Sequence, residues 1–250
     1  MKHMYLVETE EELLRYQHFV RNIRKPLEDY LSFLKEEFAV RELPRAILWT
    51  SGETATREIS SIPLPAYTND FRTVITPDLS IWRTIYLKQL KGLEAGDASD
   101  KIRTYYETCL NRNHILQILG HELAHHSELF PEDFDSALSD GIWFEEGMVE
   151  YISRKYFLSR EEFDAEAEIN RLLVDLLRDR YGNHSLEEFG AATYEGDYAS
   201  IFYEYWRSFL AVNKIIDSHG GNIHSVFQSY RKWIREQTGQ SLAQWFDLED

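Results

Sequence analysis

Ile115-Leu116-Gln117-Ile118-Leu119-Gly120-His121-Glu122-Leu123-Ala124-His125 is the stretch on which the reading of this chain turns. Its apolar residues at 115, 116, 118 and 119 recur at helical spacing and bury one face of a helix. Residues four apart share a face, so His121 and His125 present two imidazoles to one point in space. Glu122 lies beside that ligand line, close enough to take a proton from a water held there. Imidazole pairs of this kind suit a divalent transition metal, and a catalytic zinc takes three protein ligands and keeps one position open. His126 points about 100° away from His125 on a helix and reads as a surface or supporting residue, not a ligand. A third ligand is therefore needed.

No histidine lies between His126 and His184, and the candidates that follow the motif closely are acidic. The candidates downstream are Glu128, Glu132, Asp133, Asp135, Asp140, Glu145, Glu146 and Glu150. Glu128 would have to curl back along its own helix. Glu145 and Glu146 open a separate helix that can pack against the first, and Gly147 lets two helix backbones approach closely. Glu150 follows Glu146 by four and shares its face, where it can hydrogen-bond the far nitrogen of a ligand histidine.

Trp143-Phe144-Glu145-Glu146-Gly147-Met148-Val149-Glu150-Tyr151 resembles the Trp-Leu-Asn-Glu-Gly-Phe-Ala-Glu-Tyr signature of gluzincin metallopeptidases, the thermolysin-like and aminopeptidase-like clan. The resemblance implies that Glu146, before the glycine, is the third zinc ligand, and that His121-Glu122-x-x-His125 carries Glu122 as general base. Glu145 stands where the family has Asn. Twenty residues separate His125 from Glu146, in keeping with the family's interval. Downstream, Tyr205-Trp206-Arg207-Ser208-Phe209-Leu210-Ala211-Val212, running to Gly220, is similar to a helix of the same clan whose tyrosine donates to the tetrahedral intermediate. That role carries over to Tyr205, with Tyr198 and Tyr203 as rivals. The Gly-x-Met-Glu-Asn element of the aminopeptidases is not visible before residue 121, so their specificity is not implied. The likeness covers about residues 99–220.

Working outward, the pattern predicts an α+β chain: a mostly helical, zincin-like body beside a small mixed or antiparallel sheet near the N-terminus. Thr9 and Glu12 form a capping box for a first helix, with a kink or restart at Pro26 before Leu27–Phe38. Ala46–Thr50 and Arg72–Thr76 read as strands, with the latter a plausible edge for binding an extended peptide. A long helix is expected from about Lys101 to Leu129, capped by Ser99-Asp100 and ended by Pro131. A second runs from Ile142 to Phe157, capped by Ser139 or Asp140. A third starts at Ser159, whose partner Glu162 completes another capping box, and ends at Tyr181 before Gly182; Asp197–His219 gives a fourth; residues 222–237 and 242–248 give the last two. The chain reads as one domain, 1–250, with an N-terminal lobe (1–98), active-site helices (99–182) and a C-terminal helical lobe (183–250).

With 43% hydrophobic residues in 250, a sizeable core is available. The net charge of −16 argues against nucleic acid as a partner, which needs a basic face; it suits solubility and attracts basic peptides. Glu161-Glu162 and Glu166–Glu168 read as a solvated helix face, and Arg231-Lys232 with Arg235 as another. The single cysteine, Cys109, excludes an internal disulfide and fits a reducing compartment. No apolar run is long enough for a membrane span or for a signal-peptide core, so a cytoplasmic location is expected. Together these features predict a Zn²⁺-dependent peptidase acting on a peptide or protein substrate. A zincin-fold binding or regulatory module without activity is the alternative, and the intact Glu122 counts against it.

Overall fold

The computed structural model describes residues 1–59, 64–93, 95–130 and 141–248. Pro131, the proposed caps Ser139 and Asp140, and the acidic candidates Glu132, Asp133 and Asp135 lie outside the described residues. The architecture is α+β, mostly helical with a small mixed sheet near the N-terminus, as the pattern predicts. The chain forms two compact units, each drawn from more than one stretch. One comprises Met1–Gly92, Arg103–Glu128 and Ile152–Ser159; the other comprises Leu93–Ile102, Leu129–Tyr151 and Arg160–Asp250.

The first unit is built around a four-stranded sheet of order β1-β2-β4-β3 among the described residues. Strands β1 (Lys2–Leu6), β2 (Ala46–Thr50) and β4 (Arg72–Ile75) are parallel, and β3 (Ala66–Thr68) pairs antiparallel with β4. Parallel neighbours need a crossover, and α1 (Glu10–Glu37) supplies it between β1 and β2. Thr9 caps α1 by accepting from the Glu12 amide at 3.2 Å. Its buried stripe is Tyr16, Val20, Ile23, Leu27, Tyr30 and Leu34. Pro26 stands inside this single helix. It removes one backbone hydrogen bond, and the packed residues on either side hold the helix through it. Ile47, Trp49 and Thr50 are fully buried, as expected of a strand covered on both faces. A short helix α2 (Gly52–Thr54) runs into a π-helical turn, Ala55–Ile59. After β4, α3 (Leu79–Lys88) buries Trp82 and Ile85.

The long helix expected over 101–129 is in fact two helices, α4 (Asp97–Thr108) and α5 (Arg112–Ala124). The break has a local cause. Asn111 adopts extended angles (φ −142°, ψ −173°) and its side chain accepts from the Asn113 amide at 2.8 Å. The His114 Nδ1 accepts from the Asn111 amide at 3.1 Å, closing a capping box in which histidine takes the usual place of Glu. Likewise α4 starts at Asp97, ahead of the expected Ser99-Asp100 cap. Asn111→Ala is expected to destabilise the fold by about 1 kcal/mol. A shift of the denaturation midpoint checks this, and Asn111→Asp should keep most of the stability.

The second unit is helical. Helix α6 spans Ile142–Phe157, the expected bounds, and its last residues from Ile152 belong to the first unit. It is followed by α7 (Arg160–Tyr181), two 3-10 turns at Leu186–Glu188 and Ala191–Glu195, α8 (Tyr198–Ser218), α9 (Ile223–Glu236) and α10 (Leu242–Trp245). Asp197 caps α8 by accepting from the Ser200 amide at 2.9 Å, and Gly220-Gly221 at positive φ end it. Phe144 of α6 stacks on Tyr230 and on Phe246, joining α6, α9 and α10. Glu166 is buried, so the α7 face expected to be solvated is only partly so: Glu168 pairs with Arg171 at the surface, while Glu166 accepts from Asn170. No helix among the described residues is long and apolar enough to cross a membrane.

Candidate metal centre

Helix α5 is buried along almost its whole length, from His114 to Ala124. Gly120 explains how it is seated. A Cβ there would meet Phe157 at 2.7 Å, Tyr30 at 3.0 Å and Ser153 at 3.2 Å, and the Tyr30 hydroxyl donates to the Gly120 carbonyl at 2.9 Å. Only a residue without a side chain admits α1 and the end of α6 this closely. The next two residues, His121 and Glu122, are 6% and 8% exposed. Buried titratable groups side by side are a common mark of a functional site. His125 is the C-cap of α5 with helical angles (φ −56°, ψ −24°), so the four-residue spacing from His121 keeps its geometry to the helix end. The two Nε2 atoms lie 3.2 Å apart.

Glu146, one turn into α6, is 8% exposed. Its Oε1 accepts from the hydroxyls of Tyr194 at 3.2 Å and Tyr205 at 3.3 Å, and these hydroxyls lie 3.1 Å from each other. The glycine that follows packs against α8. A Cβ on Gly147 would sit 2.4 Å from the Ser208 carbonyl oxygen and 2.6 Å from Val212. The close approach foreseen at Gly147 is thus made to the helix that bears Tyr205.

One ligand atom from each of His121, His125 and Glu146 lies within 4.8 Å of the other two. This donor set fits zinc. Two nitrogens on one tetrahedral zinc, each bound at about 2.0–2.1 Å, are about 3.3 Å apart, close to the observed imidazole separation. Two imidazoles and one carboxylate also leave the fourth position that a catalytic site needs.

Glu150 is buried at 9% exposure on α6. Glu128 pairs with Arg41 at 3.3 Å on the surface. His126 is turned to the sheet, where its Nε2 lies 2.9 Å from the Thr68 hydroxyl; burial, with His125 nearby, pushes it down to about 4, and it is absent from the ligand cluster. Of the rival tyrosines, Tyr198 stacks on Phe202 and Tyr203 carries Arg207 over its ring, and neither reaches Glu146 in the manner of Tyr205. Lys232 of the basic stretch on α9 pairs with Glu236, in keeping with a solvent face. The edge expected at Arg72–Thr76 is corrected: β4 has β2 on one side and β3 on the other, so it offers no free edge to a peptide. The outward backbone groups of β3 belong to Ala66 and Thr68, and both residues are buried.

Sequence reasoning missed Tyr194. It sits in a 3-10 turn between Gly190 and Gly196, where no periodicity reports which way a ring points. Comparison with family models, with curated proteins and with solved structures returns no match.

Proposed function

We propose that this chain is a zinc-dependent metallopeptidase of gluzincin type. The observation that supports it most is the convergence of His121, His125 and Glu146, with the buried Glu122 next to the first ligand. His121, His125 and Glu146 hold the metal. A bound zinc ion supplies Lewis acidity, drawing the pKa of water toward about 7 and polarising a carbonyl. Glu122 takes the proton of the attacking water and returns it to the leaving amine. Tyr205 donates its hydroxyl proton to the carbonyl oxygen as negative charge develops there. Burial around His121, Glu122 and Glu146 keeps bulk water from weakening these interactions. The substrate is a peptide or protein, and the −16 net charge favours basic ones at low salt. The single, exposed Cys109 is in keeping with a reducing, cytoplasmic setting.

The test is a fluorogenic peptide library assayed with the purified chain. Cleavage should stop with chelator and return with added zinc, and His121→Ala should carry no stoichiometric zinc. Cleavage indifferent to chelator contradicts the proposal. Stoichiometric zinc without turnover of any peptide favours a binding module.

A further inference from the structure

Tyr194 and Tyr205 form a triangle with Glu146 Oε1, with sides of 3.1, 3.2 and 3.3 Å. Three short contacts are shared by only two hydroxyl protons. Either both hydroxyls donate to the carboxylate, or one donates to the other and that one to the carboxylate. In each arrangement one hydroxyl can turn away while the other keeps its bond to Glu146. The two tyrosines are therefore able to divide two tasks, holding the ligand and donating to a reacting oxygen.

The way each ring is anchored decides which does which. Tyr205 projects from α8. Tyr194 belongs to the stretch of 3-10 turns between α7 and α8, which is tied down at several points. The Trp143 indole donates to Glu187 at 3.1 Å, and the Ala243 amide donates to the same carboxylate at 2.8 Å. His184 Nε2 lies 2.8 Å from the buried Glu204, and Arg207 donates to the His184 carbonyl at 3.1 Å. Phe189, 1% exposed, packs against the rings of both Tyr194 and Tyr205. Trp143 stands three residues before Glu146 on α6, about one helical turn away. The segment bearing Tyr194 is thus fastened to the same turn that carries the ligand carboxylate.

We propose that Tyr194 is a positioning residue for the metal centre: its hydroxyl fixes the Glu146 carboxylate for ligation and thereby releases Tyr205 to act on the substrate. The part concerning Tyr205 rests on the peptidase reading; the hold on Glu146 requires only that the site binds metal.

The test uses the full chain in wild-type form and as Tyr194→Phe, Tyr205→Phe and the double variant. Phe keeps the packing against Phe189, and unchanged thermal unfolding confirms it. Zinc affinity is measured by competition with a chromophoric chelator, and kcat on the best peptide is measured at saturating zinc. Tyr194→Phe should weaken zinc binding about 10-fold or more, the effect typical of losing a bond that orients a ligand. It should lower kcat by less than about 10-fold, whereas Tyr205→Phe should lower kcat by about 100-fold with zinc affinity within about threefold of wild type. Wild-type zinc affinity in Tyr194→Phe overturns the proposal, as does an exchange of the two patterns. If no peptide is cut and Tyr194→Phe still loses zinc affinity, the hold of Tyr194 on Glu146 stands, and the peptidase reading falls together with the role of Tyr205. If the wild-type chain binds no zinc, both fall.

Discussion

Glu122→Gln should leave one equivalent of zinc in the protein and reduce peptide hydrolysis by about 10²- to 10⁴-fold, the usual contribution of a positioned general base. The substitution keeps the shape of the side chain and removes only its basicity. Because Glu122 is 8% exposed, a neutral amide there is also less costly to bury than a carboxylate, so folding should not suffer. The measurements are kcat/KM on a cleaved peptide, metal content and the unfolding midpoint, all on one preparation. Near wild-type turnover in this variant would remove Glu122 from the mechanism whatever the metal does.

The second large effect is structural and falls on Gly147. An added Cβ would lie 2.4 Å from the Ser208 carbonyl oxygen and 2.8 Å from its carbon, both backbone atoms that have no rotamer to adopt. Gly147→Ala must therefore part α6 from α8. Overpacking of this kind costs about 1–3 kcal/mol, which corresponds to a fall in Tm of roughly 2–12 °C for a chain of this size. Parting these helices also draws the Tyr205 hydroxyl away from its place beside Glu146, so peptide turnover should fall with stability. Gly96→Ala is the control. Nothing lies within 4 Å of a Cβ there, and its backbone does not need glycine. Equal Tm values for Gly147→Ala and Gly96→Ala would contradict the packing described for α6 and α8.

How much of this was legible in the sequence depends on how far each feature reports through local pattern. The bounds of α6 and α7 were readable because apolar periodicity marks both helices and Gly182 follows the end of the second. Strands β2 and β4 announced themselves by β-branched and aromatic runs. β1 and β3 did not. Each is a short edge strand, and β1 reads Lys-His-Met-Tyr-Leu, which owes its strand state to pairing with β2 more than to propensity. The break at Asn111 was missed because His114 completes its capping box, and histidine is an unusual partner for that task. In the site, His121 and His125 follow from helical spacing alone, which is local. Glu146 was singled out by resemblance, since elimination left several carboxylates open, and its approach to the two imidazoles is a tertiary fact. Tyr194 lay beyond both routes, because the stretch that leads to it is held at Glu187 by residues as distant as Trp143 and Ala243. The internal position of β4 was hidden because its two neighbours were: β3 is too short to read as a strand, and β2 pairs with β4 from a distant stretch of sequence.

The most direct measurement of the central claim is zinc stoichiometry combined with the metal's ligand shell by X-ray absorption, on wild type and on Glu146→Ala. The account predicts one zinc per wild-type chain, with two imidazole nitrogens and a carboxylate oxygen at about 2.0–2.2 Å, and loss of that carboxylate together with most of the affinity in the variant. A chain without stoichiometric zinc, or an identical shell in Glu146→Ala, would contradict it.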